Sequence, residues 1–135
     1  MRAPSDLLSS NAPLVPLFVY GTLRMGGALH ERYLDGEVVD HESATLTGFS
    51  LRDVGAFPLM VHEQGHTTYG EVMWMRPDSL GLYRAIHMEL GAGYTMELVE
   101  VEVPSMMERL PVLAFVWNNG DLGASRVPLN DWMAT

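Results

Sequence analysis

The sequence predicts an α+β fold in a single domain, on three observations. Its 135 residues suit one hydrophobic core. Several stretches alternate apolar and polar side chains with the two-residue period of strands, whereas two modest stretches have helical character. The helices do not alternate regularly with the strands, as they would in a parallel α/β sheet. Neither an internal repeat nor a low-complexity tract breaks the pattern.

Met1 to Pro16 are rich in Ser, Asn, Ala and Pro without a sustained period, which predicts a flexible arm over 1–16 ahead of a domain over 17–135. Leu17-Phe18-Val19 is apolar and stops in Tyr20-Gly21-Thr22-Leu23-Arg24, a strand running into a turn. Gly21 relaxes the backbone there, and Thr22 is suited to cap the next helical turn. A short helix over Ala28 to Leu34 is entered through Gly26-Gly27 and closed by Asp35-Gly36. One strand comes next at Val38-Val39. A second spans Ala44 to Leu51, with Leu46, Gly48 and Ser50 on one face against Thr45, Thr47 and Phe49.

Asp53 to Pro58 forms a turn-rich link, and Leu59-Met60-Val61 a short strand ending in a polar loop from His62 to Thr68. Tyr69 to Met75 resumes strand character. Pro77-Asp78-Ser79 starts a helix over Leu80 to Leu90, with Leu82, Tyr83, Ile86 and Leu90 at helical spacing, and Gly91-Ala92-Gly93 ends it. Met96 to Val103 sets Glu100 and Glu102 against Val99, Val101 and Val103, a strand with one wet face. Pro111 to Asn118 supplies a final strand. The closing segment leaves Trp132 either packed back onto the body or free.

Composition narrows the function. Hydrophobic content of 47% and charged content of 19% are globular values. A net charge of −9 with eight Lys plus Arg leaves no basic stripe for phosphates, so nucleic acid is excluded as an expected partner. The absence of cysteine removes disulfides, a catalytic thiol and thiolate metal sites. With no run of 18 apolar residues and no signal-like start, the chain is expected to be cytoplasmic, without a membrane partner, as a monomer or homodimer.

The familiar catalytic signatures fail. His30, His41, His62, His66 and His87 show no metal-ligand spacing on a helix, so no metal is expected. There is no Gly-x-Ser-x-Gly elbow and no phosphate-loop lysine. The remaining candidates are a Gly-Thr turn whose N–H groups suit an anion, and carboxylates. Glu89 lies near the end of a largely apolar helix, a turn beyond Ile86, where burial would raise its pKa toward that of a general base. Its ordinary reading is a solvated helix residue. Glu71 interrupts an apolar strand and is a second candidate, with an outward-facing position as the plain alternative. Asp53 is explained by local turn hydrogen bonding.

The order of these pieces resembles the gamma-glutamylcyclotransferase-like family. The carriers are Val19-Tyr20-Gly21-Thr22-Leu23-Arg24 after a strand, and Gly48-Phe49-Ser50-Leu51 leading into Gly55-Ala56-Phe57-Pro58. Gly70-Glu71-Val72, a helix bearing Glu89, Tyr94 and an alternating strand complete the set, from about Leu17 to Trp117. The resemblance, of the gamma-glutamylamine cyclotransferase type, implies a mixed sheet curled into a barrel with flanking helices. It implies release of an amine from a small-molecule gamma-glutamyl amine or peptide by ring closure to 5-oxoproline, without a cofactor. Glu89 takes the catalytic place, and Tyr20, Gly21, Thr22, Leu23, Gly55 and Tyr94 the substrate-binding places. Members of the family often carry an Asp one turn before the Glu and an Arg shortly after the Tyr. Here Ile86 and Met96-Glu97 stand near those places, so the identity of the amine stays open. A non-catalytic member of the same fold, binding a small ligand or another protein, is the alternative.

Overall fold

In the computed structural model, which describes residues 14–55, 57–120, 128 and 130–132, five strands close into a barrel with two α-helices. Strand β1 (Val15–Val19) is followed by helix α1 (Ala28–Tyr33), β2 (Val38–Asp53) and β3 (Pro58–Met75). Helix α2 (Leu80–Ala92), β4 (Thr95–Val103), a 3₁₀ turn (Pro104–Met106) and β5 (Glu108–Val116) complete the order. Around the barrel the order is β1-β3-β2-β4-β5. The β1–β5 contact is parallel and the other four are antiparallel, so the predicted mixed, barrel-like α+β sheet is what the chain forms.

The two-residue period divides the core. Val15, Leu17 and Val19 of β1 join Leu113 and Phe115 of β5 and the helix residues Leu82, Ala85 and Ile86 in one apolar cluster. Phe18 and Tyr20 turn the other way, into a cluster with Ala44, Leu46, Val72, Val101, Val112 and Ala114. Each strand thus contributes to both clusters, as expected of a sheet covered on both faces.

Three expectations are corrected. The two strands expected at Val38-Val39 and Ala44 to Leu51 are one 16-residue strand, and the alternation read across it changes phase. Ala44 and Leu46 point into the same cluster as Phe49 and Leu51, because Gly48, at φ 92°, bulges and moves every later side chain to the other face. The polar loop expected at His62 to Thr68 lies inside the 18-residue β3. Its polarity comes from an extended bulge: Thr47 pairs with Thr67 and Phe49 with His62, so Glu63 to His66 face Gly48 alone. On α2 the buried stripe is Leu82, Ala85 and Ile86, whereas Tyr83 and Leu90 are exposed. Both lie at the margin of the stripe, about a quarter turn from its centre, where the side chain reaches solvent, and Ala85 fills the buried position instead.

The first strand starts at Val15, inside the stretch read as an arm, while residues 1–13 of that arm lie outside the described residues. Trp132 packs against the second cluster, one of the two outcomes its sequence position allowed. Among the described residues no helix is long and apolar enough to cross a membrane.

Candidate active site

The turn after β1 is fixed through its carbonyls. The Gly21 carbonyl accepts from the Arg24 N–H at 3.0 Å, and the Thr22 carbonyl accepts from the Leu29 and His30 N–H groups at 2.9 and 3.0 Å. The Leu23 carbonyl accepts from Nδ1–H of the buried His30 at 3.0 Å. Planar trans peptides set each N–H opposite the preceding carbonyl, so the Thr22 and Leu23 amides face away from these anchors. No partner for the N–H groups of Gly21, Thr22 or Leu23 occurs among the described residues. Thr22 therefore caps α1 with its main chain rather than its hydroxyl.

Ion pairs brace the same turn. Glu71 Oε1 accepts from the Met25 N–H at 3.0 Å and lies 3.5 Å from Arg24 Nε. The Arg24 Nη1 donates to Asp131 Oδ1 at 2.7 Å. Glu71 is thus tied into the support of the turn. Gly21 is required for a different reason than expected. It is absent from the residues with positive φ, but a Cβ on it would lie 2.8 Å from the Pro58 ring, which seals β3 against the turn.

From the opposite side, α2 presents Glu89. Ser79 caps the helix, its Oγ accepting from the Leu82 N–H at 3.1 Å, and Gly93 closes it at φ 112°. Glu89 comes four residues after Ala85 and three after Ile86, so it continues the buried stripe into the cavity. The half-buried carboxyl is pushed up to about 7 by loss of solvation. Tyr94 is joined to it through the main chain, the Tyr94 N–H donating to the Glu89 carbonyl at 3.1 Å.

Turn and helix meet at one cavity of about 350 Å³, lined by Tyr20, Gly21, Thr22, Leu23, Glu89 and Tyr94 together with Phe18, Val19, Ala28, Leu29, Phe57, Pro58, Met88, Ala92 and Phe115. The two tyrosines serve mainly as framework. The Tyr20 hydroxyl donates to the Phe115 carbonyl at 2.6 Å, and that of Tyr94 to the Pro58 carbonyl at 2.8 Å. Burial raises both phenols above their ordinary range, and the Glu89 charge adds to each shift. Tyr94 also stacks edge-on against Trp117, with ring centroids 5.1 Å apart.

Gly55 is the expected site residue that the cavity does not include. It sits at φ 104° and gives its N–H to Asp53 Oδ1 at 2.6 Å, a local turn that delivers Phe57 and Pro58 to the cavity instead. Sequence reading passed over Ala28, Leu29, Met88 and Ala92. Their signal was helical spacing, since Met88 and Ala92 flank Glu89 on α2 and Ala28 opens α1. Ile86 is 8% exposed in the core, and Met96 packs against the same cluster. Glu97 accepts from His62 Nε2 and Asn118 Nδ2, each at 3.1 Å. No group of three His, Asp or Glu side chains able to hold a metal ion occurs among the described residues.

The family model described as gamma-glutamyl cyclotransferase, AIG2-like, matches residues 17–134. No curated protein matches the chain by sequence. Among solved structures, an Arabidopsis thaliana protein is 25% identical, with a TM-score of 0.69, over 92% of this chain and 80% of its own. An uncharacterized Pyrococcus horikoshii protein is 25% identical, with a TM-score of 0.65, over 89% of this chain and 91% of its own. An AIG2-like protein of Mus musculus shares the fold at 19% identity and a TM-score of 0.66, over 80% of each chain.

Proposed function

Because the chain belongs to the gamma-glutamyl cyclotransferase, AIG2-like family, we propose that it converts a gamma-glutamyl amine or small gamma-glutamyl peptide into 5-oxoproline and the free amine. The observation that carries this reading is the shared cavity. It holds the Glu89 carboxyl, pushed up to about 7 by burial, and a turn whose amides have no partner among the described residues.

The reaction asks for three things. The glutamyl unit must be bent so that its α-nitrogen reaches its own γ-carbonyl carbon; correct placement of reacting groups lowers barriers by up to about 7–11 kcal/mol in ideal cases. The walls of the cavity and the turn amides, which receive the substrate carboxylate or the developing oxyanion, supply this placement and charge stabilisation. The α-amine, whose ordinary pKa is near ~8, must also lose a proton before it attacks. Glu89 accepts it. As the new C–N bond forms, the carbonyl oxygen takes negative charge. As the old C–N bond breaks, Glu89 returns the proton to the departing nitrogen, and the second proton of the ring nitrogen passes to the same amine, which leaves as an ammonium, so the enzyme ends as it began.

The test is release of 5-oxoproline and amine from gamma-glutamyl amides by wild type and Glu89→Gln. Turnover that falls by at least about 100-fold in the variant, at unchanged circular dichroism, is the expected outcome. Equal rates would remove Glu89 from the chemistry.

A further inference from the structure

Resting on the cyclotransferase reading, we infer that the departing amine is small, apolar and uncharged apart from the reacting nitrogen, and that amino acids and peptides are poor leaving groups. The inference comes from what the cavity lacks once the glutamyl head group is provided for. The turn amides of Gly21 to Leu23 suit one anion, and Glu89 suits one amine. Among the described lining residues no other side chain carries charge.

The rest of the described lining is uncharged and includes Ala28, Leu29, Phe57, Met88 and Ala92, with Tyr20 and Tyr94, whose hydroxyls are already donated to main-chain carbonyls. An amino acid leaving group would bring a second carboxylate. It would meet no lysine or arginine among the described lining residues. Arg24, adjacent to the turn, is committed to Asp131 and Glu71. Ala28, Phe57 and Ala92 form the exposed apolar rim of the cavity, where a carboxylate loses part of its hydration and meets like charge at Glu89 with no cation among the described lining residues to offset either. A lysine-type leaving group, carrying its own ammonium and carboxylate, meets the same walls. The cavity volume, about 350 Å³, lies near the lower end of the roughly 300–1,000 Å³ usual for small-molecule pockets, which favours a short amine.

The experiment uses the full chain and four probes: gamma-glutamylbutylamide, gamma-glutamylbenzylamide, gamma-glutamylalanine and ε-(gamma-glutamyl)lysine. Calorimetric binding is read on Glu89→Gln, which holds each probe unconverted, and 5-oxoproline release on wild type. The two apolar amides are expected to bind more tightly and to exceed the other two in kcat/KM by about 100-fold. In Ala92→Arg, an exposed lining position at the helix end where a cation is tolerated, that preference is expected to shrink about tenfold. Equal or tighter binding of gamma-glutamylalanine, an unchanged ratio in Ala92→Arg, or no binding by any probe would overturn the inference. Apolar preference in binding without product from any probe would refute the cyclotransferase reading, and the leaving-group inference with it, leaving only the apolar selectivity of the cavity.

Discussion

Glu89 is the residue at which stability and chemistry oppose each other. A carboxyl raised from 4.5 to about 7 by burial binds its proton more tightly in the folded chain than in the unfolded one. Its contribution is therefore complete below the unfolded pKa and is lost as pH rises through about 7. At 1.36 kcal/mol per unit, the loss amounts to at most about 3 kcal/mol, less because the group is partly solvated. Glu89→Gln is thus expected to melt at the same temperature as wild type at pH 4.5 and several degrees above it at pH 8. Thermal denaturation across that range checks it; a difference independent of pH would mean that the carboxyl is not held in its neutral form by burial. In the proposed mechanism the same group sets the acid limb of activity. The carboxylate must be free to accept the α-amine proton, so kcat/KM is expected to rise tenfold per unit below about pH 7 and then level. A flat profile from pH 5 to 7 would contradict the role assigned to Glu89.

At the scale of elements, α2 is aimed by its first turn. Glu37 Oε1 accepts from the Ser79 hydroxyl at 2.8 Å and from the Gly81 N–H at 3.0 Å, tying the helix start to the segment just after α1. A Cβ at Gly81 would overlap the Tyr33 carbonyl and the Glu37 carboxylate. Gly81→Ala is accordingly expected to destabilise by about 2 kcal/mol or more in chemical denaturation, despite the ~1 kcal/mol that alanine gains in an open helix. A stabilised variant would show that the contact at the helix start is not close. The elements also reveal what a sequence exposes and what it conceals. The helix over Leu80 and its cap at Ser79 were legible because capping is local chemistry. The fusion of two short strands into β2 was not, because Gly48 at φ 92° reads as an interruption in a linear pattern but acts as a bulge in a paired one. Glu63 to His66 likewise read as a loop, since their polarity reflects an unpaired stretch whose flanks remain strand.

At the scale of the whole molecule, the site depends on contacts between distant parts of the chain. The Tyr20–Arg24 turn is held by Glu71 from β3, by His30 from α1 and by Asp131 near the carboxyl end, while Asn130 accepts the Tyr69 N–H at 2.7 Å. Arg24→Gln leaves Glu71 and Asp131 without their shared cation. It is expected to cost about 2 kcal/mol in stability and to raise KM more than it lowers kcat, because in the proposed mechanism the turn holds substrate and moves no proton. Unchanged KM and melting temperature would show that the brace is dispensable. This architecture explains which part of the site could be read in advance. The turn and Glu89 are each marked locally, by a strand that stops at Gly21-Thr22 and by a carboxylate on an apolar stripe. Gly55 carries a turn signal just as strong, yet it supports Phe57 and Pro58 rather than facing the cavity itself. Ala28, Leu29 and Ala92 carry only a helical spacing and no reactive group to mark them. They become lining only when barrel closure brings β1, α1 and α2 together.

In the proposed mechanism one glutamyl unit lies between the Gly21–Leu23 amides and the Glu89 carboxyl. The direct measurement is a crystal structure of Glu89→Gln with gamma-glutamylbutylamide bound. An oxygen of the ligand is expected within about 3 Å of those amide nitrogens, and its α-nitrogen against the side chain at position 89. A ligand seated elsewhere, or one reaching only one of the two groups, would contradict it.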